Sequence, residues 1–431
     1  MSAVEPSARI IPATAPIVRE KAVVRDFKPA IGLGAFAVLG LLLFGLGSRT
    51  GSTTFRLSTD SDRIQLAAVV LDVRVVTTVV TVLLFALALV ALYFGYRARK
   101  TPIWLSAIYA VLFLVAFLTW AAAGATIPLP GLLVGAVAVS APLIFGALGG
   151  VISERAGVVN VAIEGQLLAG AFASAVVASI TRQPVLGLFA ATIAGVLVSL
   201  VLATFSIRYL VDQVIVGVVL NVLVVGLTSF FFSTLLSPNE ALLNTPPRFP
   251  QFPIPLLSEI PLIGPVFFRQ TVIVYVMYVA VAVVWFALFK TKWGLRLRAV
   301  GEHPQAADTV GINVNRSRFW NVCLAGAIAG FGGAYFTLGS VGGFNKEMTA
   351  GAGFIALAAV IFGRWDPIRA TLAALLFGFA SNLQSVLSIV GSPVPSEFLL
   401  MLPYLVTIFA VAGLVGQVRG PAASGKPYIK S

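Results

Sequence analysis

Long apolar runs separated by short polar stretches make up most of this 431-residue chain. The runs are continuous rather than alternating, which favours membrane-spanning helices over the strands of a barrel. A helix needs about 20 apolar residues to cross a bilayer, so we predict an all-α polytopic membrane protein with about 10–12 transmembrane helices. The predicted spans are 31–47, 75–96, 103–123, 131–151, 158–180, 185–206, 211–236, 271–289, 319–340, 351–363, 367–390 and 397–417.

For two regions of this layout the sequence leaves two alternatives, a complete span or a re-entrant segment. Residues 351–363 are short for a spanning helix, and residues 153–165 carry charges next to apolar sequence. A re-entrant segment at either place would change the side of the membrane on which the following loops lie.

The charged residues are few and unevenly placed. Only 10% of the residues are charged, whereas a soluble domain has about 25%. With the N-terminus in the cytoplasm, 21 of the 29 lysine and arginine residues fall on the cytoplasmic side, so we predict that both termini are cytoplasmic. This topology also explains the net charge of +13, and we therefore expect no nucleic-acid partner.

The chain divides into four predicted regions. They are a flexible cytoplasmic tail (1–30), a three-helix membrane extension (31–125), a core (126–418) and a second cytoplasmic tail (419–431). Within the core, the proline-rich residues 237–270 form an outer loop and residues 290–318 form the most basic cytoplasmic loop.

The segment SERAGVVNVAIEGQLLAGAF, residues 153–172, places charged and amide side chains inside or beside apolar sequence. Such groups are expensive near hydrocarbon and usually face a pore or a partner. Gly157 and Gly165 favour a broken helix, and broken helices line the binding sites of many transporters. The alternative is a tight cytoplasmic turn in which Glu154 and Arg155 are simply solvated.

A substrate pathway should hold few fixed charges, because a site that releases its cargo must bind it weakly. Uncharged polar side chains within the spans are suited to weak binding of a cargo. For Asn221, a hydrogen bond to a neighbouring helix is an equally good alternative. The predicted pathway residues are Asn160, Glu164, Gln213, Asn221, Phe354, Asn382 and Gln384.

The basic loop 290–318 contains a possible short helix. Small alanines after Gln305 permit close packing, and Gly311 can end a helix in a conformation that other residues resist. Such a helix could seat in a soluble motor protein, or the segment could be an ordinary positive-inside loop. Further along, Gly326 and Gly330 form a small-xxx-small pattern that predicts close helix packing.

Two features resemble active sites without the required context. GPAASGKP, residues 420–427, nearly fits a phosphate-binding loop, but Pro427 replaces the hydroxyl residue and no helix follows. His303, the single histidine, lies in a basic loop with no nucleophile motif, so we predict a surface or subunit contact for it. One cysteine, Cys323, excludes an internal disulfide. We predict no catalytic, cofactor or metal site in this chain.

Several stretches together resemble one family: ERAGVVNVAIEGQLLAGAF, DQVIVGVVLN, GLRLRAVGEHPQAADTVGIN and TAGAGFIALAAVIFGRWDP. The family is that of bacterial ATP-binding cassette (ABC) importer permeases of the branched-chain amino acid and simple-sugar superfamily. The closest branch is the nucleoside type, which works with a basic-membrane-lipoprotein binding protein. The resemblance runs from about residue 131 to about 428, in the family's order, and leaves the 31–125 block as an extension.

The resemblance implies a set of partners. They are a second, usually different permease subunit, ABC ATPase subunits that bind ATP and Mg, a lipid-anchored substrate-binding protein and the membrane lipid itself. ATP hydrolysis would then belong to the partners, and this chain would not be an enzyme. The family pattern begins with glutamate where this chain has Gln305. The implied ATPase-coupling residues are Glu302, Gln305, Ala306, Ala307 and Gly311.

The function implied by the resemblance is import of nucleosides or related small polar solutes through the bacterial cytoplasmic membrane. An ABC permease for a simple sugar or a branched-chain amino acid is the first alternative. An ion-coupled secondary transporter is an alternative of another class.

Overall fold

The computed structural model describes residues 27–47, 49–60, 62–392, 394–395, 397–398, 401 and 420–430. Ten helices among these residues are long and apolar enough to cross a membrane, which confirms the predicted polytopic all-α class. Most of the predicted tail 1–30 and of the predicted span 397–417 lies outside the described residues.

The helices are joined by connections of very different lengths. In chain order they are α1 (Lys28–Gly40), α2 (Val73–Tyr96), α3 (Ile103–Ala121), α4 (Leu129–Arg155), α5 (Ile163–Thr181), α6 (Pro184–Ala203), α7 (Gln213–Phe231), α8 (Glu240–Leu243), α9 (Ile263–Phe268), α10 (Val272–Lys290), α11 (Lys292–Glu302), α12 (Pro304–Thr309), α13 (Val314–Ala334), α14 (Ala352–Phe362) and α15 (Pro367–Val390). Four of them continue in wider π-type turns, namely Leu41–Leu46, Thr204–Arg208, Phe232–Leu236 and Tyr335–Val341.

Five short strands lie between the helices. They are β1 (Ser52–Arg56), β2 (Val69–Asp72), β3 (Thr126–Pro128), β4 (Gln251–Pro253) and β5 (Arg269–Thr271). β1 pairs antiparallel with β2 and parallel with β3, and β4 pairs antiparallel with β5. Within the predicted outer loop 237–270, the β4–β5 pair closes a folded element that contains α9, and α8 lies before this element.

The described residues form two compact units. The first takes its residues from 1–47 and 78–116, and the second from 48–77 and 117–431. In the first unit Phe36 meets Phe113 edge to face with ring centroids 5.8 Å apart, and the Tyr109 hydroxyl donates to the Leu33 carbonyl at 2.7 Å. This hydrogen bond satisfies a phenol that would otherwise be unpaired in an apolar bundle.

Side-chain caps fix the starts of several helices in the second unit. Asp212 accepts from the backbone of the first turn of α7, Asn313 from that of α13 and Asp366 from that of α15. In each case the side-chain oxygen accepts from a backbone N–H of the first turn, which has no carbonyl acceptor within the helix. In α15 the proline at Pro367 follows its cap directly, in the position where a missing N–H costs nothing.

The core of the second unit forms around α4, which packs against α13, α14 and α15. α4 and α15 run antiparallel: Asn382 Nδ2 donates to the Leu132 carbonyl at 2.7 Å, and Gly378 packs directly on Ser140. The contact of α6 with α13 depends on glycine. A Cβ on Gly195 would overlap the Gly326 carbonyl oxygen and would lie 2.7 Å from the Gly330 Cα.

This crossing confirms the close packing that Gly326 and Gly330 predict. Small residues let helix backbones approach in lipid, where no hydrophobic force draws helices together and dispersion contacts must do so. Gly170 of α5 reaches the same point, since a Cβ there would overlap the Gly330 carbonyl oxygen. α5, α6 and α13 therefore contact one another through glycine residues.

Replacing Gly195 with alanine should destabilise the protein by about 2–3 kcal/mol, because the added methyl group meets fixed backbone rather than a movable side chain. Gly226→Ala on α7 is the matched control, since no atom lies within 4 Å of a Cβ there. Thermal unfolding of the purified protein in detergent measures both. Equal unfolding temperatures for the two variants would contradict the packing described.

Candidate functional site

The chain leaves helical geometry between α4 and α5, at residues 156–162, which we call the first re-entrant loop. Gly157 has φ +92°, a left-handed conformation that glycine adopts without steric cost. Ser153 closes the end of α4 by donating from Oγ to the Val158 carbonyl at 2.8 Å. The break that Gly157 predicts is present, whereas Gly165 lies within the first turn of α5.

This loop folds back along α4 before α5 starts. A Cβ on Gly146 would lie 3.0 Å from both Ile163 and Ala356, so the first residue of α5 lies level with residue 146 of α4. Because an α-helix rises about 1.5 Å per residue, residue 146 lies about 13 Å along α4 from its last residue, Arg155. The helix observed here, α5, therefore begins five residues later than the predicted span 158–180, although it is still long and apolar enough to cross a membrane.

A second re-entrant segment, residues 342–351, returns from the opposite side. It starts beyond the end of the α13 extension, where Asn244 of the outer loop exchanges two hydrogen bonds with the Phe344 backbone, at 3.0 and 2.6 Å. α14 then begins against α5, because a Cβ on Gly353 would overlap the backbone of Glu164. The predicted segment 351–363 is thus a half-length helix and not a complete span.

Glu164 joins the starts of these two helices. Its carboxylate accepts from Thr349 Oγ1 at 2.6 Å, from the Gly351 N–H at 2.9 Å and from the Gly353 N–H at 2.6 Å. The side chain is buried and belongs to the first turn of α5. A helix start has unpaired N–H groups and a partial positive charge. One carboxylate therefore satisfies the start of α14 and lies at the positive end of α5.

Amide side chains of α7 hold the first re-entrant loop in place. Asn221 accepts from the Gly165 N–H at 2.8 Å and donates to the Val161 carbonyl at 2.9 Å. Gln213 accepts from the Val159 N–H at 2.7 Å. These contacts replace the hydrogen bonds that a continuous helix would have made, which non-helical backbone needs inside a membrane.

A buried network fixes the loop from its other face. The amide groups of Asn160 and Gln166 exchange hydrogen bonds at 3.1 and 3.2 Å, and Gln166 Nε2 also donates to Ser199 Oγ at 2.9 Å. Asn160 and Gln166 are fully buried, so their polar groups bind other parts of the chain and not solvent. Their partners are the reason that these residues can lie within apolar helices.

The end of α4 is anchored to the turn between α14 and α15. The Trp365 indole N–H donates to the Glu154 carboxylate, and Arg155 Nε donates to the Trp365 carbonyl at 3.0 Å. Arg364 and Trp365 both have positive φ, at 55° and 53°, which is unusual for residues with a Cβ. The alternative of a solvated Glu154 is wrong, since the side chain is buried.

The predicted pathway residues fall into two groups. Asn160, Glu164, Gln213 and Asn221 lie together around the first re-entrant loop, and the described hydrogen bonds occupy each of them. The others lie apart: the Phe354 ring is 49% exposed beside the start of α14, Asn382 binds α4, and Gln384 is half-buried on α15. Contact of these residues with cargo stays a prediction.

The predicted coupling residues lie on and around α12. Gln305 and Ala306 are exposed, whereas Ala307 is buried against Val300 and Val314. Gly311 ends the turn after α12 with φ +82°. Glu302 accepts from the Ala422 N–H at 3.2 Å, so its carboxylate faces the C-terminal segment.

α11 and α12 lie directly beneath the first re-entrant loop. A Cβ on Gly301 would overlap the carbonyl oxygen of Arg155, so the end of α11 contacts the end of α4. The surface around α12 also presents Val310, which is 75% exposed. The exposed Val310 was not predicted from the sequence. Thr349, Trp365 and Arg318 were not predicted either, because no local sequence pattern identifies their distant partners.

The chain resembles known transport proteins over most of its second unit. The profile of the family described as "Branched-chain amino acid transport system / permease component" matches residues 132–411. The guanosine ABC transporter permease protein NupQ of Bacillus subtilis is 42% identical over 304 residues, which cover 68% of this chain and 94% of NupQ. The nucleoside ABC transporter permease protein NupC of Lactococcus lactis is 42% identical over 307 residues, with the same two coverages.

A relative with another named cargo is also similar. The putative glucose ABC transporter permease protein TsgC13 of Haloferax volcanii is 39% identical over 258 residues, which cover 59% of this chain and 77% of TsgC13. No solved structure matches the chain.

Replacing Glu164 with glutamine should lower the stability of the purified protein by about 2–3 kcal/mol, because bonds to a charged acceptor are lost and an amide NH₂ faces backbone donors. Glu240→Gln removes an equal charge from an exposed site and is the control. Thermal unfolding compares the two, and hydrogen exchange of residues 349–356 reports the start of α14. Exchange as slow as in the wild type would contradict the role of Glu164.

Proposed function

The chain belongs to the family of permease components of branched-chain amino acid transport systems, and from that premise we propose that it carries nucleosides as the permease subunit of an ATP-driven ABC importer. Family membership makes it a multi-pass membrane permease and not an enzyme. The cargo, the pathway residues, the partner subunits and the orientation are the parts of the proposal that experiments must decide.

The observation that carries the proposal is the position of Glu164. Helix starts inside a membrane are anion-binding sites, and in many transporters they receive the carboxylate of the substrate. Here the protein's own carboxylate occupies the start of α14 and lies beside the start of α5. A substrate carboxylate would have to displace it. The arrangement therefore favours an uncharged solute over an amino acid.

The choice among uncharged solutes depends on the relatives. NupQ and NupC are named for guanosine and nucleosides, and each is matched over 94% of its length. The glucose-named TsgC13 is matched over 77% of its length. This difference supports a nucleoside as the first candidate and a simple sugar as the second.

The proposed pathway lies beside the meeting point of α5 and α14. Asn160, Glu164, Gln213 and Asn221 shape this point by holding its backbone. Phe354 is the predicted pathway residue with the most exposed side chain there, and an aromatic ring offers a nucleobase a stacking surface. Asn382 and Gln384 would then face the pathway further along α15.

The proposed partners follow from the surfaces. An ABC ATPase, which binds ATP and Mg, would seat on the exposed face of α12 at Gln305, Ala306 and Val310. Ala307 would hold α12 from behind and Gly311 would end it. Glu302 would act through the C-terminal segment that it binds.

A second permease, different from this chain, would pack beside it, and a lipid-anchored binding protein would deliver cargo to residues 237–270. The membrane would be the bacterial cytoplasmic membrane, with both termini inside. The 31–125 block precedes the family match, and we propose that it packs against the partner permease.

Uptake of labelled guanosine should fall to background in cells that lack this gene and should return with the gene on a plasmid. Excess adenosine should compete, whereas leucine and glucose should not, because the proposed site takes uncharged nucleosides. Uptake must also persist when ion gradients are collapsed but ATP is kept. Unchanged guanosine uptake, or competition by glucose, would overturn the nucleoside assignment, and dependence on an ion gradient would favour a secondary transporter.

Gly311→Val should abolish the stimulation of ATP hydrolysis by cargo in the reconstituted transporter. The substitution forces a branched residue into a left-handed conformation at a cost of about 1–2 kcal/mol, which displaces the end of α12. Gly391→Val is a matched control, because Gly391 has φ +76° and equally open surroundings but ends α15. Equal stimulation in both variants would argue against coupling through α12.

A further inference from the structure

The C-terminal segment, residues 420–430, folds back against α11. The Ala423 N–H donates to the Gly301 carbonyl at 2.9 Å, and the Ala422 N–H donates to the Glu302 carboxylate at 3.2 Å. Ala423 is buried in this contact. The glycine and proline pattern that resembles a phosphate-binding loop thus belongs to a segment whose backbone binds another part of the same chain.

The same segment supports the buried side of α12. Tyr428 is 6% exposed and packs with Val300, Ala307 and Val314. The Asp308 carboxylate lies near its phenol. Burial, together with the Asp308 carboxylate, raises the pKa of Tyr428, while the Arg318 charge lowers it. α12 therefore has one exposed face and one face held by this tyrosine.

Arg318 connects the segment to the first re-entrant loop. This side chain, 2% exposed, donates from Nη1 to the Lys426 carbonyl at 2.8 Å. Its guanidinium lies against Gly157, where a Cβ would be 2.8 Å from Nη2. Nε and Nη2 have no hydrogen-bond partner among the described residues. A buried cation with so few partners is costly, so the Lys426 carbonyl is a contact that the structure needs.

Two glycines extend these contacts. A Cβ on Gly425 would lie 3.5 Å from Val159 of the first re-entrant loop, and one on Gly420 would lie 2.9 Å from the Trp365 ring. Trp365 in turn binds Glu154. One short segment therefore contacts α11, α12, the first re-entrant loop and the turn between α14 and α15.

We propose that residues 420–430 are a clasp that fixes α12 to the first re-entrant loop, so that a displacement of α12 moves the meeting point of α5 and α14. Tyr428 and Arg318 are positioning residues in this clasp. The contact of Gly301 with Arg155 already links α11 to the end of α4, and the clasp adds a second link, from α12 to the loop itself. The role in coupling rests on the proposed function, but the mechanical link does not.

The test compares Tyr428→Ala with Ile429→Ala in the full chain. Ile429 is the adjacent residue, is 72% exposed and contributes no described clasp contact, which makes it a matched control. Hydrogen exchange of the purified permease should become at least about tenfold faster in Tyr428→Ala at residues 303–312 and also at 156–162. Ile429→Ala should leave both regions unchanged. Tyr428→Phe keeps the packed ring and removes only the hydroxyl near Asp308, so it should fold and show a smaller change in the same two regions.

Faster exchange that is confined to 303–312 would overturn the clasp, and so would an Ile429→Ala effect as large as that of Tyr428→Ala. If Tyr428→Ala does not fold, Tyr428→Phe decides in the same way, and unchanged exchange at 156–162 would reject the link. In the reconstituted transporter, cargo moved per ATP should fall about two- to thirtyfold in Tyr428→Ala with the ATPase still bound. A wild-type complex that moves no nucleoside would refute the proposed function, while the exchange result would still decide the clasp.

Discussion

The bonds from Glu164 to the start of α14 are the contact on which the rest of the site depends. The starts of α5 and α14 are buried against each other, and a backbone N–H buried away from water must find a partner. The carboxylate supplies that partner for Gly351 and Gly353 and also lies at the positive end of its own helix. Without an acceptor there, the re-entrant geometry would leave buried donors unpaired.

Two further features make this contact possible. Glycines remove the side chains that would keep the helices apart, as at Gly353 beside Glu164 and at Gly195 beside α13. Amides of Gln213 and Asn221 then bind the backbone of the first re-entrant loop. Small residues thus allow the helices to approach closely. Polar side chains of α7 then form the hydrogen bonds that the broken helix cannot make within itself. Gly301 of α11 packs on the Arg155 carbonyl at the start of this loop, so the loop lies in direct contact with the segment that carries the predicted coupling residues.

Sequence alone identified the class and much of the site. Polar residues are so rare in these spans that Glu164 and Asn221 stand out, and Gly157 marks the helix break. It could not identify their partners, because the bond between Glu164 and Gly353 joins residues 189 positions apart. It also missed Arg318 and Tyr428, since a charged residue in a basic loop and an aromatic residue in a tail look solvated until the fold buries them. The start of α5 and the half length of α14 stayed open for the same reason: length and hydropathy do not reveal how the start of a helix packs against its neighbours.

The central claim is that the protein's own carboxylate, and not the cargo, occupies the start of α14, beside the start of α5. An experimental structure of the assembled transporter with guanosine bound would test it most directly. We expect the Glu164 carboxylate within hydrogen-bond distance of the Gly351 and Gly353 N–H groups while guanosine contacts uncharged neighbours. A structure in which Glu164 turns away and a group of the cargo accepts from those two N–H groups would contradict the account.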